Sequence, residues 1–319
     1  MELALESWSS SASRTPARSR RRARRFASES CTLRTVQVHL IDGTYELFRA
    51  WFGAPPGQHA GREVGATRSL LRSLSTLLNK RVITHAGVAF DHVIESFRND
   101  LFAGYKTGEG LPEALTSQFE LAERAVAALG LTVWPMVEFE ADDAIATAAA
   151  RLATDPAVER VLITSVDKDM CQCVIGDRVV CWDRFKNETL DEAAVIAKHG
   201  VAPASIPDLL ALVGDTADGI PGLTGWGKSS AAKVLSVYRH IDAIPDDPKQ
   251  WTLAIRGADR LAAALREHRA EAMLYRTLAT LRTDCPITCD AEALAWRGPD
   301  PAALDAIAIE LGVGSIRGS

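Results

Sequence analysis

Short apolar runs that lead into acidic residues recur along this chain, with helical stripes between them. VQVHLI (36–41) runs into Asp42, and HAGVAF (85–90) into Asp91. LTVWPM (131–136) is followed by Glu140, Asp142 and Asp143, and RVLITS (160–165) by Asp167 and Asp169. RVVCWD (178–183) is a fifth run of this type. Short, nearly continuous apolar runs read as strands buried on both faces. Residues 61–79, 113–129 and 141–153 read as helices; Leu70, Leu71, Leu74, Leu77 and Leu78 line one stripe of the first. Gly130 is a suitable stop for the second. Strands alternating with helices predict an α/β fold with a mostly parallel sheet flanked by helices.

In such a sheet the carboxyl ends of the strands share one rim, where ligands bind. Four of the acidic groups then converge on one place. A fifth, Asp215 and Asp218, follows the helical-looking DLLALVG and can reach the rim from a flanking helix. Taken singly, each has a plainer explanation. Asp142 and Asp143 open a helix, where acids favour the dipole, and the others fit caps or loops. Taken together they do not, because two carboxylates about 4 Å apart repel by about 4 kcal/mol at an effective dielectric near 20. Divalent cations with hard oxygen ligands relieve that cost. The nine residues Asp42, Asp91, Glu140, Asp142, Asp143, Asp167, Asp169, Asp215 and Asp218 are therefore candidate ligands of a site holding more than one ion.

After about residue 190 the strands largely stop and short helical patterns take over. This predicts an α/β domain over 35–200 and a helical domain over 201–319, in keeping with a length of 319 residues. Residues 1–34 are Arg-, Ser- and Ala-rich, expected to form a disordered tail or a basic arm. Residues 1–35 carry eight Arg and three Glu, which leaves the remaining chain at −10 within a total of −5. That balance counts against nucleic-acid binding unless many of the acids belong to one metal site. No run of about 18 apolar residues is present, and the Arg-rich start lacks the apolar core of a secretory signal. The six cysteines include no C-x-x-C pair. A cytoplasmic protein with reduced thiols is expected.

Gly222 to Ser229 matches the phosphate-loop pattern G-x-x-x-x-G-K-[ST], which requires a strand before it and a helix after it. The residues before it carry a helical stripe instead, so a nucleotide-hydrolysing loop is the weaker reading. The favoured alternative is a helix–hairpin–helix. There Gly222, Gly225 and Gly227 turn backbone amides towards a phosphate, and Lys228 and Lys233 reach the duplex backbone without reading bases. IDGT (41–44) lacks the first Asp of the phosphatase motif D-x-D-G-T, since Leu40 stands there. Arg49, Arg98 and Lys106 lie near the acidic stations and are candidates to hold a substrate phosphate.

Seven segments together are similar to the 5′→3′ exonuclease/flap endonuclease family: IDGTYELFRA, VAFD, FRNDLFAGYK, FEADDAIATAA, VLITSVDKDMCQCV, LVGDTADGIPGLTGWGKSSAAKVL and YRTLATLRTD. The pattern most resembles the N-terminal nuclease domain of bacterial DNA polymerase I and runs from about residue 36 to 315. No polymerase segment follows, so a stand-alone nuclease is expected. The resemblance implies a PIN-like domain followed by a helix–three-turn–helix domain. It implies two or more Mg²⁺ or Mn²⁺ ions, the first on Asp42, Asp91, Glu140 and Asp142. The second would lie on Asp167, Asp169, Asp215 and Asp218, with Asp143 between the two. It also implies a K⁺ held by backbone carbonyls around 222–227, with Lys106 and Arg98 as catalytic basic groups at the scissile phosphate. DNA with a 5′ flap, nick or 5′ end would be the substrate, or an RNA–DNA hybrid, acted on by a monomer in replication and repair. Two departures stand out: Glu109 where relatives have Arg, and Gly219 where they commonly have Asn, which is expected to loosen its turn. They keep open a DNA-binding protein of the same fold with weakened catalysis.

Overall fold

The computed structural model describes residues 36–80 and 83–314; the Arg-rich 1–34 segment lies outside them. The main sheet has six strands: β1 (Val36–Asp42), β2 (His85–Asp91), β3 (Thr132–Met136), β4 (Val158–Thr164), β5 (Val179–Asp183) and β6 (Glu188–Leu190). Their order is β3-β2-β1-β4-β5-β6. All neighbours pair in parallel except β6, which closes the edge antiparallel to β5. The chain builds outward from β1 through β2 to β3. It then crosses by the helix Ala141–Ala153 to β4, on the other side of β1. The strand order reverses there, so a crevice forms outside the carboxyl ends of β1 and β4.

Residues alternate between the two faces of the sheet, as strand geometry requires. Val38, Leu40, Val161 and Ile163 pack with Ala144, Ile145, Ala148 and Leu152 of the Ala141–Ala153 helix. Ile41, Val88, Phe90 and Leu162 pack with Leu70 and Leu74 of the helix Gly65–Lys80, and with Leu121 and Val126 of the helix Phe119–Ala128. Both layers leave the strand ends free to carry polar groups.

The helix predicted over 61–79 starts later, at Gly65. Buried Glu63 causes the delay: its Oε1 accepts from Gly57 N at 2.7 Å and Gly65 N at 2.9 Å, and the chain makes a short hairpin first. The helix predicted over 113–129 is two pieces, Glu113–Thr116 and Phe119–Ala128. Gln118 lies at the break, fully buried, with Oε1 accepting from Thr67 N and Oγ1 and Nε2 donating to Ala114 O. The second piece ends at Gly130, whose φ of 78° lies in the left-handed region.

After about residue 190 the chain is mostly helical, as expected, with helices Glu192–His199, Ile206–Val213, Lys228–Tyr238, Ala258–Glu267 and Arg269–Ala279. Beyond Cys285 the chain returns to the strand-rich half. Trp134 Nε1 donates to Thr288 O, Ala86 N to Leu294 O, and Trp296 N to Thr84 O. A last helix, Pro301–Leu311, adds Leu304, Ile307 and Leu311 to the cluster around Phe119–Ala128. Among the described residues no helix is long and apolar enough to cross a membrane.

Candidate metal centre and phosphate-binding groups

Asp42 and Asp91 are the last residues of β1 and β2. Asp42 Oδ1 accepts from Tyr45 N at 2.8 Å and caps the helix Gly43–Gly53. Asp91 Oδ1 accepts from Ala141 N at 2.7 Å, at the start of the next helix. Helix capping and rim placement therefore coincide in the same residues. Burial pushes the Asp42 carboxyl up to about 7 against the pull of its cap bond, and Asp91 and Asp167 add to the rise. Burial also lifts Asp91, to about 6, although Lys106 pulls it back. Asp142 is raised well above the carboxylate range by burial, and then by Asp42, Asp167 and Asp91. Exposed Asp167 stands at the opening of this group.

The second group is tighter. Asp169 opens the 3₁₀ turn Asp169–Cys173 after β4. Asp215 and Asp218 lie on the turn after Ile206–Val213, which is closed by paired 2.8 Å bonds between Asp215 and Ile220. One carboxylate oxygen from each of Asp169, Asp215 and Asp218 lies within 4.8 Å of the others. Asp169 is 5% exposed, and its Oδ1 is buried without a hydrogen-bond partner. Such an orphan costs about 1–3 kcal/mol. Burial raises Asp169 well above its ordinary value, with Asp167, Asp218 and Asp215 adding to it. An all-oxygen donor set with an unused buried lone pair fits a hard divalent cation.

Two lysines border this group. Lys106 Nζ lies 2.7 Å from Glu140 Oε2 and 3.1 Å from Asp218 Oδ1, so it links the two halves of the acidic cluster. Burial would raise Glu140, but Lys106 and Arg98 outweigh it and hold the carboxyl below its usual range. Lys168 Nζ lies 2.6 Å from Asp215 Oδ2. Sequence reading did not single Lys168 out; its one signal was its place between Asp167 and Asp169.

Arg98 and Asp143 need correction. Arg98 is fully buried and its five N–H donors are all used. It forms a fork of two 2.7 Å bonds to Asp143, a 3.1 Å bond to Glu140, and bonds to the carbonyls of Leu278 and Thr280. No donor is left for a phosphate. Asp143 is also fully buried, and its oxygens accept from Arg98, Glu140 N and Arg282 N. Both of its oxygens are thus taken up by these donors, which leaves it the partner of Arg98. The pair instead ties the acidic wall to the segment after helix Arg269–Ala279.

Arg49 is exposed, with its guanidinium carbon 3.2 Å from the centre of the Phe185 ring. In the hairpin, Gly222 and Gly225 adopt φ of 71° and 88°, and Gly227 precedes the helix Lys228–Tyr238. Lys228 and Lys233 are exposed on that helix. A helix and a turn, not a strand, precede Gly222, so the phosphate-loop reading fails. Gly219 does not loosen its turn. Its φ is 73°, and Gly104 O lies where a β-carbon would sit, while Lys106 N donates to Asp218 O at 3.1 Å. Glycine allows this close approach. Glu109 is exposed.

Known proteins share the two domains and the fold. The 5′-3′ exonuclease N-terminal resolvase-like domain matches residues 37–200, and the 5′-3′ exonuclease C-terminal SAM fold matches 201–302. A DNA polymerase I of Pseudomonas aeruginosa is 36% identical over 282 residues, covering 85% of this chain and 30% of that protein. A 5′-3′ exonuclease of Buchnera aphidicola is 31% identical over 260 residues, covering 79% and 83%. The chain thus spans less than a third of the polymerase and most of the exonuclease. A zinc-bound T5 5′-exonuclease shares the fold with a TM-score of 0.62 at 18% identity, over 86% of this chain and 98% of that one. The T5 flap endonuclease in a complex with DNA and metal ions gives 0.60 at 17%, over 86% and 93%. With both domains matched in order, and a relative covered over 83% of its length, the chain belongs to the 5′-3′ exonuclease family.

Proposed function

We propose that this chain is a divalent-metal-dependent 5′ nuclease that hydrolyses phosphodiester bonds of DNA, acting at 5′ flaps, nicks and RNA primers in replication and repair. One observation carries the reading: the Asp169, Asp215 and Asp218 oxygens within 4.8 Å, one buried carboxylate oxygen among them unpartnered. Asp42, Asp91, Glu140 and Asp142 would hold one Mg²⁺ or Mn²⁺, and Asp169, Asp215 and Asp218 a second, with Asp167 at the opening. When bound, such ions supply an activated water and stabilise charge on the leaving oxygen.

The chain's own groups do the rest. Lys106, held between Glu140 and Asp218, offers its ammonium to the scissile phosphate. Tyr105 donates to Glu140 Oε2 at 3.3 Å and steadies that carboxylate. Exposed Arg49, Lys228 and Lys233, with the amides around Gly225 and Gly227, grip the duplex backbone without reading bases. Carbonyls near 222–227 would take the K⁺ of the same proposal. The T5 flap endonuclease, in its complex with DNA and metal ions, supports this reading by its fold.

A DNA-binding protein with weakened catalysis is the alternative; the Glu109 side chain gives it its one support. Cleavage of end-labelled 5′-flap, nicked and single-stranded DNA decides between them. The nuclease reading expects Mg²⁺-dependent products lost in chelator. Tight binding without any product in Mg²⁺ or Mn²⁺ would reject it.

A further inference from the structure

We propose that Lys168 is a built-in counter-ion of the Asp169, Asp215 and Asp218 group, which a divalent cation must displace, so that Lys168 sets the concentration at which the group fills. This rests on the metal-site reading above. Three side-chain facts carry it. Lys168 Nζ lies 2.6 Å from Asp215 Oδ2, a carboxylate that is only 2% exposed. The lysine itself is 41% exposed, on the solvent side of that contact. Asp215 Oδ1 is engaged by Ala217 N at 3.1 Å, so Oδ2 is the oxygen this carboxylate has to offer a cation.

Charge and reach explain the role. The three carboxylates face two ammonium groups, Lys106 on Asp218 and Lys168 on Asp215. Lys106 is locked, since it also contacts Glu140 and its own N–H is bonded to Asp218 O. Lys168 has one carboxylate contact and an exposed stem, so it can swing into water at the cost of that one partly exposed ion pair, and it regains side-chain freedom in doing so. It is therefore the ammonium that yields to a doubly charged ion. Lys168 lies on the loop between β4 and the turn Asp169–Cys173, while Asp215 belongs to the turn after helix Ile206–Val213. The contact thus also holds these two elements in register before any ion arrives.

The test is Mn²⁺ binding to the full chain without nucleic acid, by electron paramagnetic resonance and titration calorimetry. Lys168→Met keeps the apolar stem and removes the competitor. It should tighten one class of Mn²⁺ site about fivefold, the worth of a partly exposed ion pair. Lys168→Gln should tighten it likewise, and Lys249→Met, an exposed lysine in the segment after helix Lys228–Tyr238, should leave it unchanged. Tightening is a result that a merely structural lysine would not give, since damage weakens a site. Unchanged or weaker Mn²⁺ binding in both Lys168 variants, with intact circular dichroism, overturns the role of Lys168 alone. Absence of Mn²⁺ binding to the wild-type chain overturns it together with the metal-site reading.

Discussion

Replacing Arg98 by Met should destabilise the protein far more than removing any ligand of the acidic site. The guanidinium is fully buried and makes five hydrogen bonds, two of them a fork on Asp143. Asp143 is fully buried too, so the variant leaves a carboxylate without its partner in a dry interior. Breaking a buried pair from one side costs about 3–5 kcal/mol. The carbonyls of Leu278 and Thr280 lose their donors as well. At about 2 °C per kcal/mol for a chain of this size, the melting temperature should fall by roughly 6–10 °C. Thermal unfolding followed by circular dichroism in chelator measures this without any contribution from bound metal. The double variant Arg98→Met/Asp143→Leu removes both charges and should recover part of the loss. A melting temperature of Arg98→Met within 2 °C of wild type would show that the pair is no structural tie.

Other outcomes follow from the same geometry. Asp142→Asn and Asp169→Asn each remove a charge from a repelling group. In Mg²⁺ they should abolish flap cleavage and spare flap binding by gel shift, with no loss of melting temperature in chelator. Gly219→Ala forces a side chain into a left-handed turn against Gly104 O, and should cost about 1–3 kcal/mol by thermal melting. Lys228→Ala and Lys233→Ala should each weaken duplex binding equally across sequences and reduce the salt dependence by about one phosphate contact.

The parallel strands were legible because burial on both faces makes them nearly continuous apolar runs, some of them closed by an acidic rim residue such as Asp42 or Asp91. The helix with a leucine stripe over 61–79 and the Ala-rich one over 141–153 were equally plain. Elements held by distant partners were not. The break at Gln118 depends on Thr67, and the late start of the helix at Gly65 depends on a buried Glu63. The last helix, Pro301–Leu311, is apolar on much of its surface yet short, and only its packing against Phe119–Ala128 gives it a place. In the site, the rim acids were readable from strand ends, but grouping Asp143 with Glu140 as a ligand misled. Both start the same helix, yet Asp143 turns inward to meet Arg98 and Arg282 N, from positions 45 and 139 residues away. Arg98 looked like a phosphate ligand for the same reason: its partners, Leu278 O and Thr280 O, are remote in sequence. Lys168 was hidden by its acidic neighbours, since nothing in D-K-D says that the lysine crosses to Asp215.

The most direct measurement is anomalous diffraction from crystals soaked in Mn²⁺. A peak among Asp169, Asp215 and Asp218 is expected, with another beside Asp42, Asp91, Glu140 and Asp142. Well-occupied manganese elsewhere, with neither of these places filled, would contradict a metal centre at the strand rim.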